Sequence, residues 1–152
     1  MDETLPLGKL PGALLERLLA RYATPDERLI IGPERARRQF TALIEGARSS
    51  IRLIDAKLSD PDLVALLNAK RAASMTVEVF SAKQLGDCKS HGKIMLLDDR
   101  TVVLGSLALA ALSLDFRREV AIVVTEPDAV AAAAELFRTV RDATTASGEV
   151  VC

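Results

Sequence analysis

The chain has 152 residues, 49% of them hydrophobic and 3% aromatic, with no Trp. This excludes a disordered chain and predicts one globular domain whose core is built from Leu, Ile, Val and Ala. The net charge of −1 excludes a uniformly basic nucleic-acid-binding surface, although not a local patch, and the few rings leave little for bases to stack on.

In chain order, the first periodic segment carries Leu10, Leu14, Leu18 and Tyr22 four apart, with Leu15 and Leu19 alongside. That spacing predicts an amphipathic helix starting near Pro11 and ending before Thr24-Pro25. Its polar face mixes Glu and Arg, which favours packing on the domain over a membrane surface. RLIIG at 28–32 predicts a short buried strand. Ala36, Phe40, Leu43, Ile44 and Ala47 then fall at helical spacing, and SIRLIDA alternates as a strand around Ile51, Leu53 and Asp55. Asp60 followed by Pro61 predicts a capped helix start, and MTVEVF at 75–80 predicts the next strand.

Strand, helix, strand, helix, strand in this order predicts parallel pairing with right-handed crossovers. KIMLL and TVVLG flank Asp98-Asp99-Arg100 and predict an antiparallel hairpin. Ser106 to Leu114 reads as a loop or short helix, REVAIVV at 118–124 as a strand, and Glu126-Pro127-Asp128 as the opening of a helix through about Arg141. The fold class that follows is α/β: a mixed, largely parallel sheet between helices. The domain limits are an N-terminal helix and linker at 1–27, the main domain at 28–143 and a loose tail at 144–152.

Cys88 and Cys152 make no disulfide framework and read as free thiols in a reducing compartment. Cys88 and His91 form a C-x-x-H, but no second ligand pair completes a zinc site. No signal-peptide pattern opens the sequence, and no apolar run approaches the ~18 residues of a membrane span. These features predict a soluble, cytoplasmic chain without a transmembrane segment, and one that is a candidate piece of a longer protein.

The chemistry concentrates in SHGKIMLLDDRTVVLGS, residues 90–106, which holds the only histidine. A neutral imidazole serves as nucleophile or general acid/base near neutral pH, and a lysine ammonium suits a phosphate oxygen. In an extended strand His91 and Lys93 share a face, because side chains alternate with period two. The hairpin returns Gly105-Ser106 to their side, where the hydroxyl and backbone N–H of Ser106 would hold another oxygen. H-x-K alone is a common chance pattern, and a lone His is more often structural than catalytic.

The complete spacing is H-x-K, four residues, Asp98, six residues, then Gly105-Ser106. This resembles the HKD motif of the phospholipase D superfamily, H-x-K-x4-D-x6-G-S-x-N. LSLDFRREVAIVV resembles the segment that follows the motif in bacterial phospholipase D-like and cardiolipin synthase-like proteins. With the strand–helix block upstream, the resemblance covers about residues 28–141. It departs at Ala108, where the motif's last polar residue, usually Asn, stands. A lost charge-assisted hydrogen bond of that kind costs ~1.5–3 kcal/mol, enough to slow an enzyme.

The resemblance implies a metal-independent, cofactor-free phosphodiesterase built from two facing motifs. One histidine forms a phosphohistidine; the other protonates the leaving alcohol and then activates water or an acceptor alcohol. With one motif present, it implies a homodimer or a second HKD half. His91 would be nucleophile in one copy and acid in the other. Lys93, Gly105 and Ser106 would bind phosphoryl oxygens, Glu119 would orient His91, and Asp98 would give structural support. Arg117, on the face of Glu119, would reach a phosphate or form a surface ion pair. Arg35, Arg37 and Arg38 read as a solvated helix face. The leading expectation is phosphodiester hydrolysis or phosphatidyl transfer on a phospholipid. The alternatives are a homodimeric nuclease of the same superfamily, or a degenerate domain with a structural role.

Overall fold

The computed structural model describes residues 28–146. The segment at 10–22, the tail beyond 146 and Cys152 lie outside the described residues. In order come β1 (Leu29–Ile31), α1 (Ala36–Gly46), β2 (Ser50–Ile54), α2 (Pro61–Ala72) and β3 (Thr76–Phe80). A small ribbon, β4 (Gln84–Leu85) and β5 (Cys88–Lys89), leads into β6 (Lys93–Leu97) and β7 (Thr101–Gly105). Then follow α3 (Ala111–Asp115), β8 (Val120–Val124) and α4 (Pro127–Ala146).

Six strands form one mixed sheet in the order β1-β8-β7-β6-β2-β3. The α/β class is as expected, but the balance of pairing is not. Only β2 and β3 run parallel; every other neighbouring pair is antiparallel. The expected β1–β2 pairing is replaced because β6 takes the free edge of β2, matching Ile51 with Leu97 through Ile54 with Ile94. The local antiparallel run β6-β7-β8 thus sits between β2 and β1. Residues 32–49, including α1, carry the chain across from β1 at one edge to β2, next to the far edge strand β3. Strand order along the sequence says nothing about such an insertion.

Alternation along the strands divides the core in two. Ile51, Leu53, Met95, Leu97, Val103 and Ala121 face α1 and α2, where Phe40, Ile44, Leu63 and Leu67 close over them. Ile54, Phe80, Leu96 and Val102 face α4, against Val130, Ala133 and Phe137. The helix α2 begins as predicted: Asp60 accepts from the N–H of Leu63 at 3.1 Å, and Pro61 occupies the first turn. The last helix runs past Arg141 to Ala146, so the loose tail does not begin at 144. Thr144 is buried and its hydroxyl donates to the Val140 carbonyl at 2.7 Å, which continues the packed face.

Asp98 sits in the β6–β7 turn, where it and Asp99 have φ of 54° and 52°, a left-handed conformation that Asp tolerates better than most residues. Its carboxylate reaches back to the start of β2. It accepts from the N–H groups of Arg48, Ser49 and Ser50 and from the Ser49 hydroxyl, at 2.7–3.1 Å. Burial works against ionisation, but these donors prevail and hold the carboxyl at about 2. Because the folded-state value is depressed, this stabilisation is present above the ordinary carboxyl range and is lost as pH falls towards 2. Asp98→Asn is therefore expected to cost about 1.5–3 kcal/mol at neutral pH. The deficit should shrink as pH falls towards 2, as followed by urea unfolding at several pH values.

Arg37 is not on a solvated face. Its guanidinium makes paired bonds to Asp60 (2.7 and 2.9 Å) and to Asp115 (2.7 and 2.9 Å), tying α1 to the starts of α2 and the end of α3. Both carboxyls are held below their usual range by that guanidinium. Single-sequence periodicity places Arg37 away from the core stripe of α1, and it cannot reveal the two acids that arrive from other helices.

Candidate active site

The residues picked out by their chemistry gather at one end of β6, β7 and β8. Lys93 opens β6 directly opposite Gly105, the last residue of β7, and Gly105 faces Ala121 of β8. Gly105 is required by packing. A Cβ there would lie 2.2 Å from the Val120 carbonyl oxygen and 2.6 Å from the Ala121 Cα, so any side chain would push β8 away. Gly105→Ala is expected to destabilise the fold by roughly 1–3 kcal/mol. It should also abolish function more than it lowers the unfolding midpoint, since the displaced strand carries Glu119 at its entrance.

Ser106 follows at the mouth of this pair. Its N–H donates to the Val120 carbonyl at 2.9 Å, and its hydroxyl accepts from the Val120 N–H at 3.2 Å. The backbone N–H of Ser106 is therefore not free for a ligand oxygen, contrary to the expectation. The cross-strand ladder uses it because β8 continues beside residue 106. The hydroxyl also donates to the Val120 carbonyl at 3.4 Å, a long bond that it would exchange for one to a ligand oxygen.

His91 lies two residues before β6, where the β4–β5 ribbon ends; the Ser90 N–H donates to the Lys83 carbonyl at 2.8 Å. The sequence reads this ribbon as a plain loop, because two-residue strands leave no periodicity. His91 is exposed, and its imidazole makes no hydrogen bond or ion pair among the described residues. The Lys93 Nζ donates to the His91 carbonyl at 3.1 Å. Lys93 is half-buried and shares the lining of a small cavity with Asp55, Gly105 and Leu109, with room for about one water at ≈ 10 Å³. His91 does not line it, so among the described residues the two side chains do not share this cavity.

Glu119 is mostly buried just before β8. Its carboxylate accepts from the Ser113 hydroxyl at 3.1 Å and lies 3.8 Å from the Arg117 guanidinium. Arg117 thus forms the ion pair that was one of its two expected fates. The expected Glu119–His91 hydrogen bond is not made within the chain. Arg118 turns elsewhere, onto Glu34 and the Gly32 carbonyl.

One carboxylate beside Lys93 escapes the sequence pattern. Asp55 is almost fully buried and accepts from the Leu109 N–H at 2.7 Å and the Lys57 N–H at 2.9 Å. Burial raises its carboxyl above the ordinary value, and those N–H groups and the nearby Lys93 charge oppose the rise. Its position in SIRLIDA, on the face of Ile51 and Leu53, was the available signal. Asp55 fastens the loop that follows Ser106. In that loop Ala108 and Leu109 are both buried, so neither offers a polar group to the site.

Residues 68–141 match the family model described as cardiolipin synthase, PLD-like domain. Comparison with curated protein sequences gives no match. Among solved structures, the chain resembles NucT from Helicobacter pylori, with 14% identity and a TM-score of 0.62 over 76% of this chain and 94% of that one. It resembles equally a phospholipase D family member, Nuc from Salmonella typhimurium, with 17% identity and a TM-score of 0.64 over 75% and 93%. Polyphosphate kinase from Porphyromonas gingivalis shares the fold at 15% identity and a TM-score of 0.60, over 82% of this chain and 25% of that one.

Proposed function

We propose that the chain, whose residues 68–141 match a cardiolipin synthase, PLD-like domain model, is a phospholipase D superfamily member that hydrolyses phosphodiesters through a phosphohistidine at His91, with a second motif supplied by another copy or a partner half. The observation that carries this reading is the convergence at one strand end. Lys93 lies against Gly105, Ser106 and Glu119 flank that pair, and the exposed imidazole two residues before Lys93 has no partner among the described residues. A partnerless His at an open site is free to serve as nucleophile.

In the proposed reaction the imidazole nitrogen of one His91 attacks phosphorus. The N–P bond forms as the P–O bond to the leaving alcohol breaks, and the facing imidazolium gives that oxygen its proton. The same imidazole then takes a proton from water, whose oxygen attacks phosphorus and releases His91. Lys93 would exchange the His91 carbonyl for a non-bridging oxygen, where its charge counts most as charge develops. The Ser106 hydroxyl would donate to a second oxygen. Glu119, already set by Ser113 and Arg117, would favour the imidazolium electrostatically.

The reading of a phospholipid substrate draws on Leu112 and Phe116, one turn apart at α3 and 52% and 75% exposed. They flank Ser113, which holds Glu119, and offer apolar surface next to the proposed phosphate site. A nucleic-acid substrate is the second reading, favoured by exposed Lys83 and Lys89 on the ribbon that leads to His91, a local basic patch on a near-neutral chain. The deciding experiment incubates the protein with radiolabelled phosphatidylglycerol vesicles or with plasmid DNA, both in chelator, and quenches in alkali to preserve phosphoramidates. A labelled His91 with vesicles supports the lipid reading, and nicking with a His91–DNA adduct moves the substrate to nucleic acid. No adduct from either would leave the domain without this chemistry.

A further inference from the structure

A groove of ≈ 880 Å³ runs along α4 at the end of the sheet remote from His91. The strand β6 starts at Lys93, and the turn after its far end supplies Asp99 and Arg100 to one wall. The other wall is a single stripe of α4: Pro127, Val130, Ala131, Ala134, Arg138 and Arg141, spaced as helical neighbours. The stripe spans roughly 20 Å. It crosses the sheet, because α4 begins just past β8 and Arg141 bonds Glu78 on β3 through two nitrogens at 2.7 Å. The two parts of the groove differ in chemistry. Near β8 the stripe is aliphatic, and no aromatic ring lines the groove among the described residues. The rest is lined by Arg52, Arg100, Arg138 and Arg141. Carboxylates orient three of these without using all their donors. Glu78 accepts from Arg52 Nε and from Nε and Nη2 of Arg141, Asp99 from Arg52 Nη1, and Glu135 from Arg138. Nη2 of Arg52 and Nη1 of Arg138 and Arg141 make no bond among the described residues. Arg100 is exposed, and its guanidinium has no partner there at all.

We propose that this groove binds a single-chain alkyl phosphate, with its chain along the aliphatic part of α4 and its phosphate against the arginines. The volume lies within the ordinary range of small-molecule sites, about 300–1,000 Å³. Guanidinium forks already fixed by carboxylates lose little freedom when they bond a phosphate, and several of them suit its three terminal oxygens. Asp99 is the acid that lines the groove, and it is engaged by Arg52, so the unpartnered Arg100 is the first cation open to an anion. The aliphatic part excludes charge and offers a base nothing to stack on, which selects an alkyl body over a nucleoside. The site is separate from His91 and stands whether or not the reaction proposed there occurs.

The test is a titration of the full chain with octyl phosphate below its micelle concentration, read from the backbone amide NMR signals of Arg100, Ala131 and Ala134. These signals report the location as well as the affinity. They are expected to shift together along one saturating curve. Affinity should rise about tenfold from butyl to octyl phosphate, since the added methylenes lie on a half-open apolar wall. Arg100→Ala and Arg138→Ala, both exposed, should fold as the parent does and each weaken octyl phosphate about tenfold. His91→Asn should bind it as the parent does, which keeps this test apart from the reaction proposed at His91. Shifts confined to the Lys93–Ser106 end would overturn the proposal, as would undiminished affinity in Arg100→Ala. Equal affinity for inorganic phosphate would remove the role of the aliphatic part, and tighter binding of adenosine monophosphate would replace the alkyl ligand with a nucleotide; either result also overturns it.

Discussion

His91→Asn is expected to fold like the parent chain and to turn over phosphodiesters at least about 10³-fold more slowly. The first half of that expectation follows from the structure: the imidazole is exposed and bonded to nothing among the described residues, so its removal should move stability by less than ~0.5 kcal/mol. The second follows from the proposed chemistry, which has no other nucleophile, since the chain holds one histidine. Mixing adds a sharper test. If each active site needs an intact His91 from two copies, an equilibrated 1:1 mixture of parent and variant retains about a quarter of the parent rate, the share of fully intact pairs. Retention of half would mean that each copy works alone. Full activity in the variant disposes of the mechanism altogether.

The proposed second copy or half has a physical counterpart in the single chain. Lys93, Gly105, Ser106 and Glu119 are set by strand register and close packing, and such residues need no partner to find their places. His91 lies outside the ladder on the ribbon side, exposed and without the Glu119 contact. What a facing surface would add is the wall opposite Lys93. In the proposed reading, the strand-bound residues would hold phosphate and the exposed His91 would face the reacting bond.

Much of this was legible in the sequence because it depends on local rules. Asp60-Pro61 starts α2, Asp98-Asp99 turns the hairpin, and alternation in β2 and β6 assigns the core faces. Lys93 and Gly105 meet because they sit on one hairpin, whose register follows from the length of its turn, whereas His91 lies outside it. What was not legible depends on meetings between distant segments. The antiparallel insertion of β6 beside β2 replaced an expected parallel neighbour, and the Ser106 N–H went to Val120 because β8 lies alongside. The bond from Asp55 to Leu109, across 54 residues, leaves no trace in either local pattern. Gly105 is an intermediate case. The motif names a glycine, and only the approach of the Val120 carbonyl shows why nothing larger is tolerated.

Arg37 shows the same limit and yields the largest expected effect on stability. Arg37→Ala removes every side-chain partner of Asp60, whose carboxylate is only 2% exposed, apart from its bonds to backbone N–H groups at the start of α2. Breaking a buried ion pair by deleting one partner costs about 3–5 kcal/mol. Because Arg37 is itself about one third exposed, a loss of about 2–4 kcal/mol is expected at pH 7. The pH dependence separates this cause from lost packing. In the parent, Arg37 holds the Asp60 carboxyl below its ordinary value, so the pair stabilises above that value and the contribution fades as pH falls through the folded-state value. In the variant, burial favours the neutral acid and only the backbone N–H groups at the start of α2 oppose it. The difference between the two proteins should therefore be largest at pH 7 and narrow progressively below pH ~4. Arg37→Lys should recover only part of it, since one ammonium cannot make the paired contacts to both Asp60 and Asp115. Urea midpoints measured at pH 7 and pH 3.5 check this; an equal deficit at both would assign the loss to packing of the arginine stem instead.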